Sequence, residues 1–211
     1  MSWGQPYSDT VLRRAREYGT ATMHEAAGRR GAMPSRIRPV TRGLALAGRA
    51  LTVECAPLDN LWLHRAIVAA QPGDVLVVSV NGAAEAGYWG EVLSRAAVAR
   101  HLGGLVIDGG VRDSAQLTDI GFPVFAERVC MQGTVKDRAE HVGGIGRPIA
   151  FGELVVTPGD LVVGDEDGVA SFSPGEVDSL LEASHARVQK ELDFFDALKS
   201  GTTTLDLMGL S

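Results

Sequence analysis

Pro72-Gly73-Asp74-Val75-Leu76-Val77-Val78-Ser79-Val80, then the loop Asn81 to Gly90 (NGAAEAGYWG), Glu91 to His101 (EVLSRAAVARH) and Leu105 to Asp108 (LVID), is the stretch that decides the fold. A Pro-Gly-Asp turn feeds an unbroken apolar run, and a run without polar alternation suits a strand buried on both faces. Glu91 to His101 reads as a helix, and LVID as a second short buried strand. Strand, helix and strand in this order are the repeating unit of an α/β domain. Working outward, Gly43 to Cys55 favours a strand with a bend at Gly48, and Leu61 to Ala70 carries apolar residues at helical spacing. Ser8 can cap a first helix through Val11, Leu12 and Ala15 that stops at Gly19, and Thr22 to Ala27 continues as a short helical stretch. Downstream, Arg112 to Ile120 reads as a short helix and PVFAERVC, ending at Cys130, as a strand.

Beyond Gly133 the pattern turns β-rich. FGELVVT and LVVGDEDGVASF are strand-like and flank a second Pro-Gly-Asp turn at Pro158 to Asp160. Pro174 opens a long helix whose apolar stripe is Val177, Leu180, Leu181 and Val188. No linker interrupts the 211 residues, which form a single α/β domain with an added β-rich segment.

The bulk properties exclude several classes. The formal net charge is -6 and no polybasic run is present, so a nucleic-acid backbone has little to grip. An anionic small substrate must instead be held by local groups. Cys55 and Cys130 lack metal-type spacing and read as buried small hydrophobes of a reducing compartment. The N-terminus MSWGQPYSDTVLRRARE has charges where a signal peptide needs an apolar stretch, and no apolar run approaches the roughly 18 to 20 residues of a membrane span. The expected location is the cytoplasm, with neither nucleic acid nor membrane as partner.

The candidate chemistry lies between Asn81 and Asp113. The first amides of a helix have no internal partner, so those of Glu91, Val92 and Leu93 can receive a carboxylate, with Gly90 allowing close approach. Asp108-Gly109-Gly110-Val111-Arg112-Asp113 comes directly after a buried strand, where α/β folds place their crevices. Arg112 offers a planar fork for a carboxylate or a developing oxyanion. Asp113 offers a hard oxygen to a cation that keeps most of its waters, as Mg²⁺ does.

The loop GGLVIDGGVRD with its continuation GFPVFAERVCMQGTVK closely resembles the 4-hydroxy-4-methyl-2-oxoglutarate aldolase family and its relative, the regulator of ribonuclease E activity A (RraA-like) family. The resemblance extends to GTATMHEAAGRRGAM, PGDVLVV with WGEVL, PGDLVVGDEDGV and the tail KSGTTTLDL, and so covers nearly the whole chain in order. That family's signature is an acidic residue, twenty intervening residues, then Arg-Asp; Glu91 and Arg112-Asp113 stand at this spacing. The resemblance implies one RraA-like β/β/α domain of the swivelling type over residues 1–211, a central sheet flanked by helices. It implies a metal-dependent lyase that releases pyruvate from a small 2-oxo acid and decarboxylates oxaloacetate. Asp113 would then hold Mg²⁺ or Mn²⁺, Arg112 would face the oxygen that becomes negative, and Glu91 would orient metal-bound water. It further implies a homotrimer or homohexamer whose site lies between subunits, with Glu25 and Glu191 supplied by the neighbouring chain. Two positions depart from the family: Glu91 replaces the commoner Asp, and Gln116 stands where the aldolases tend to have an acidic residue.

A Schiff-base route is disfavoured because Lys136, Lys190 and Lys199, the only lysines, lie outside the Gly-rich and Arg-Asp loops. His24 has no second histidine at zinc-motif spacing and is assigned a structural role. His64, His101, His141 and His185 read as solvated or structural. GGIGRP lacks the spacing of a nucleotide loop, GDEDG reads as a tight turn rather than a calcium loop, and Trp62 and Trp89 read as core. The competing class is a protein-binding regulator of ribonuclease E, which needs a surface and no metal.

Overall fold

The computed structural model describes residues 3–137 and 142–211; His141 lies outside them. Ser8 caps the first helix, its Oγ accepting from the Val11 amide at 3.3 Å. That helix, α1 (Asp9–Ala26), is broken where expected: Gly19 has φ 75° and ψ 168°, outside helical space. Helix resumes because Asp165 accepts from both the amide (2.7 Å) and the hydroxyl (2.6 Å) of Thr20, acting as a cap from far along the chain.

The chain then forms β1 (Arg38–Pro39), β2 (Leu46–Glu54), α2 (Leu61–Ala69), β3 (Val75–Ser79), β4 (Gly87–Trp89), α3 (Glu91–Ala99), β5 (Gly104–Val111), α4 (Ser114–Ile120) and β6 (Val124–Val129). The second half holds β7 (Gly144–Ile145), β8 (Ile149–Phe151), β9 (Leu154–Val156), β10 (Leu161–Asp165), β11 (Gly168–Phe172), a 3₁₀ turn at Pro174–Glu176, α5 (Val177–Lys199) and α6 (Thr204–Leu207). The main sheet runs β1-β6-β5-β3-β2-β10-β11, with β4 beside β5 and β7 beside β2. The central strands β2, β3, β5 and β6 pair in parallel, while β1, β10 and β11 join antiparallel. The sheet curls into a nearly closed barrel. Its two edges approach, and Arg38 Nη1 donates to the Asp167 carbonyl at 3.0 Å.

The unbroken run of β3 is explained by this architecture. Leu76 and Val78 enter one core with Leu105, Ile107, Leu63 and Leu93, under α2 and α3. Val75 and Val77 enter the barrel interior with Val106, Phe125 and Phe151. A third core joins Leu161, Val163 and Phe172 to α1 and α5 through Ala15, Met23, Val177, Leu180 and Leu181. The stripe on α5 continues to the buried Ser184, whereas Val188 is only half-buried. The chain is thus a single α/β domain with a central sheet flanked by helices. Among the described residues no helix is long and apolar enough to cross a membrane.

Two strands depart from the pattern expected of the sequence. Gly87–Trp89 forms β4 within a segment that reads as loop, and β5 runs on through Gly109 and Gly110 to Val111. The glycines there serve packing, since a Cβ on Gly110 would overlap the Ala86 carbonyl, and one on Gly109 would sit 3.0 Å from Val80.

Candidate active site

The cleft is built at the carboxyl end of β5. Ile107 pairs with Ala126 but Gly110 pairs with Arg128, so one extra residue is inserted around Asp108 and Gly109. Such a bulge bends the strand and re-aims the residues beyond it. Val111 then pairs with Trp89, and the Arg112 amide donates to the Trp89 carbonyl at 2.8 Å. Next in the chain, Asp113 adopts the left-handed region (φ 58°, ψ 38°), a conformation Asp tolerates better than most residues.

This turn brings Asp113 against the start of α3. Its Oδ2 accepts from the Glu91 amide at 3.0 Å. A Cβ on Gly90 would overlap that same oxygen and lie 3.1 Å from Arg112 Cγ. A Cβ on Gly87 would lie 3.1 Å from Arg112 Cβ and overlap the Cys130 carbonyl. The space left by Gly90 is therefore filled by the Arg-Asp pair itself, not held open for a ligand. The Glu91 amide is engaged as well. The amides of Val92 and Leu93 occupy the rest of the first turn, where helix geometry supplies no acceptor and Gly90 has no side chain to cap them.

Arg112 is half-exposed, and its Nε stands 3.8 Å from Asp113 Oδ2. Together with Gly90, Val92 and Leu93 this pair lines a cleft of about 200 Å³. Glu91 does not line it: its Oε1 accepts from Arg95 Nε at 2.8 Å, one turn along the helix. Glu25 and Glu191 are also absent from the cleft of their own chain. Both turn to Arg187 instead, which stands 3.1 Å from Glu191 Oε1 and 3.8 Å from Glu25 Oε2 across the α1–α5 seam.

The fold adds polar residues that the sequence reading does not place at the site, among them His64, which reads there as solvated or structural. Asn60, His64 and Lys136 line the same cleft. Asn60 is the N-cap residue of α2 and His64 lies four residues later, a spacing that places both on one helix face. Burial lowers the His64 pKa, with nearby Lys136 adding to the effect and Asp59 opposing it. Lys136 lies outside the Gly-rich and Arg-Asp loops, as the sequence has it, but the fold brings it to the cleft that they form.

The other candidates are structural. His24 Nδ1 lies 2.9 Å from the Arg30 carbonyl and closes the turn after α1. Gly143, in GGIGRP, makes room for Trp62, whose ring a Cβ there would overlap. GDEDG is the β10–β11 turn, with the Asp167 amide donating to Asp165 Oδ1 at 3.0 Å. Trp89 is fully buried, stacks on Phe122 at 6.0 Å, and donates from Nε1 to Ser94 Oγ at 2.6 Å.

Among the described residues no cluster of three or more His, Cys, Asp or Glu side chains is arranged to hold a metal. The donor set in the cleft is one half-exposed carboxylate. That fits a hard cation retaining most of its waters and does not fit a closed protein cage.

Fold and cleft together define an α/β protein with a cleft between a helix N-terminus and an Arg-Asp turn. The chain belongs to the RraA-like family: a family model described as Aldolase/RraA matches residues 9–170. It is 32% identical over 150 residues to a protein of Halalkalibacterium halodurans named "Putative 4-hydroxy-4-methyl-2-oxoglutarate aldolase", covering 71% of this chain and 70% of that one. Among solved structures, it resembles an uncharacterized protein from Pseudomonas syringae pv. tomato with a TM-score of 0.84 and 25% identity, over 98% and 96% of the two chains. The RNA-processing inhibitor RraA from Thermus thermophilis shares the fold, with a TM-score of 0.65 and 24% identity over 72% of this chain and 91% of that one.

Proposed function

We propose that this protein is a carbon–carbon lyase that releases pyruvate from 2-oxo acids of the 4-hydroxy-4-methyl-2-oxoglutarate type, with Mg²⁺ or Mn²⁺ as its cation. The observation that carries the reading is the joint placement of Arg112 and Asp113 over the open first turn of α3 in one cleft. The substrate carboxylate docks on the amides of Val92 and Leu93, which need an anionic acceptor and carry the positive end of the helix. Asp113 would hold the cation, which when bound supplies Lewis-acid polarisation of the 2-oxo group. Arg112 meets the negative charge that appears on that oxygen as the bond breaks, a fixed donor in a partly enclosed site. Oxaloacetate presents the same carboxylate and ketone, so its decarboxylation is expected as a second activity.

The names of the aldolase relatives support the lyase reading at moderate identity. In a homotrimer or homohexamer, the Glu25–Arg187–Glu191 cluster of one chain would complete the cleft of the next. Asp113→Ala provides the test. Metal-dependent pyruvate release should vanish while the melting temperature stays within a few degrees of wild type. Full activity in this variant would overturn the assignment of Asp113, whereas no pyruvate release by the wild-type protein would favour a ribonuclease-binding regulator on the same fold.

The presence of Lys136 in the cleft supports one second reading, an imine-forming aldolase. Borohydride treatment in the presence of pyruvate separates the two. The metal route predicts no loss of activity, and irreversible inactivation would favour the lysine.

A further inference from the structure

The cleft holds two polar atoms that the lyase reading does not use. Asn60 Oδ1 and His64 Nε2 are each buried without a hydrogen-bond partner, and both residues line the cleft with Arg112 and Asp113. Buried polar atoms are almost always paired, so two orphan atoms on residues that line one cleft ask for a partner from a ligand. The orientation of Asn60 is fixed by chemistry. The Tyr88 carbonyl can only accept, and the Asn60 amide nitrogen donates to it at 2.8 Å. Oδ1 therefore faces away from Tyr88, and it can only accept. A carboxylate would be repelled there, and the amides of Val92 and Leu93 already receive the carboxylate. The remaining requirement is a donor. His64 is disposed the same way, because burial and the charge of Lys136 favour the neutral ring, whose Nε2 accepts a proton in the Nδ1–H tautomer.

We propose that Asn60 and His64 recognise the hydroxyl group of a hydroxy-2-oxo acid, and that His64 Nε2 takes the hydroxyl proton as the carbon–carbon bond breaks. The assignment rests on the lyase reading above and deepens it. The electron pair of the broken bond passes to the 2-oxo fragment as an enolate, whose charge Arg112 meets. The hydroxyl oxygen keeps its electrons and becomes the carbonyl of the second product. Its proton moves to His64 and returns through solvent to the enolate carbon, giving pyruvate. Asn60 Oδ1 accepts the hydroxyl hydrogen bond before the transfer and fixes which substrate atom faces the ring.

Decarboxylation of oxaloacetate provides the discriminating comparison, since its keto form has no hydroxyl to deprotonate. In His64→Gln, the ratio of kcat for aldol cleavage to kcat for decarboxylation should fall about 100-fold, the contribution typical of a positioned base. In His64→Ala, added imidazole should recover part of the aldol rate without raising decarboxylation by the same factor. Equal losses on both substrates, or an unchanged ratio, would overturn the role of His64 while leaving the lyase reading in place. A wild-type protein that releases pyruvate from neither substrate would overturn the lyase reading, and this assignment with it.

Discussion

Gly90 shows how far a single missing methyl group reaches into the site. Its backbone is extended, so its conformation does not require glycine; the proximity of Asp113 Oδ2 and Arg112 Cγ does. Gly90→Ala should therefore push the carboxylate off the Glu91 amide. If Asp113 holds the cation, pyruvate release should drop about 100-fold, the cost typical of a displacement near 1 Å in a catalytic group. Steady-state kinetics alongside a thermal melt checks this, and wild-type kcat in a folded variant would show that the Asp113 position is not critical. Arg112 and Asp113 were legible in the sequence because they are contiguous, flanked by glycines and set at a fixed distance from Glu91. Asn60, His64 and Lys136 were not, because each arrives from a part of the chain remote from that motif and no local pattern marks them.

Elements fix that geometry through a few long-range polar contacts. Asp165, in the β10–β11 hairpin, restarts α1 after its break at Gly19. Asp165→Ala should cost about 1 kcal/mol, as loss of a helix cap does, and lower the melting temperature by about 2–4 °C. An unchanged melt would mean that Thr20 finds another acceptor. A larger loss is expected at the turn before β3. There Arg49 Nε and Nη2 bind the Asp74 carboxylate at 2.9 and 3.1 Å, and both side chains are almost fully buried. Asp74→Ala leaves the guanidinium buried without a counter-charge, at a cost of about 3–5 kcal/mol, measurable by denaturant unfolding. Both elements were visible in sequence: β3 as an unbroken apolar run, and the break in α1 as a glycine between two helical stretches. β4 was not, since three residues paired only to the bulged end of β5 produce no periodicity of their own.

On the scale of the whole molecule, Glu25 and Glu191 are the informative residues. Their meeting at Arg187 required α1 and α5 to pack, and the spacing of 166 positions in the chain hides it from any local reading. The far end of α5 and the tail beyond it carry exposed Phe195, Leu205 and Met208, at 52%, 55% and 62% exposure. If one chain completes the cleft of the next, Asp113→Ala and Glu191→Ala should each be inactive alone. Mixed after co-refolding, they should recover a measurable part of the activity, through sites that take Asp113 from one chain and Glu191 from the other. No recovery in verified mixed oligomers would overturn the shared site. The central claim is simpler than its assembly and can be tested first. Purified protein is supplied with 4-hydroxy-4-methyl-2-oxoglutarate, and pyruvate release is monitored with Mg²⁺, then with excess chelator, then with Mg²⁺ restored. The account predicts release that stops with the chelator and returns with the metal; release undiminished by the chelator, or none under any condition, would contradict it.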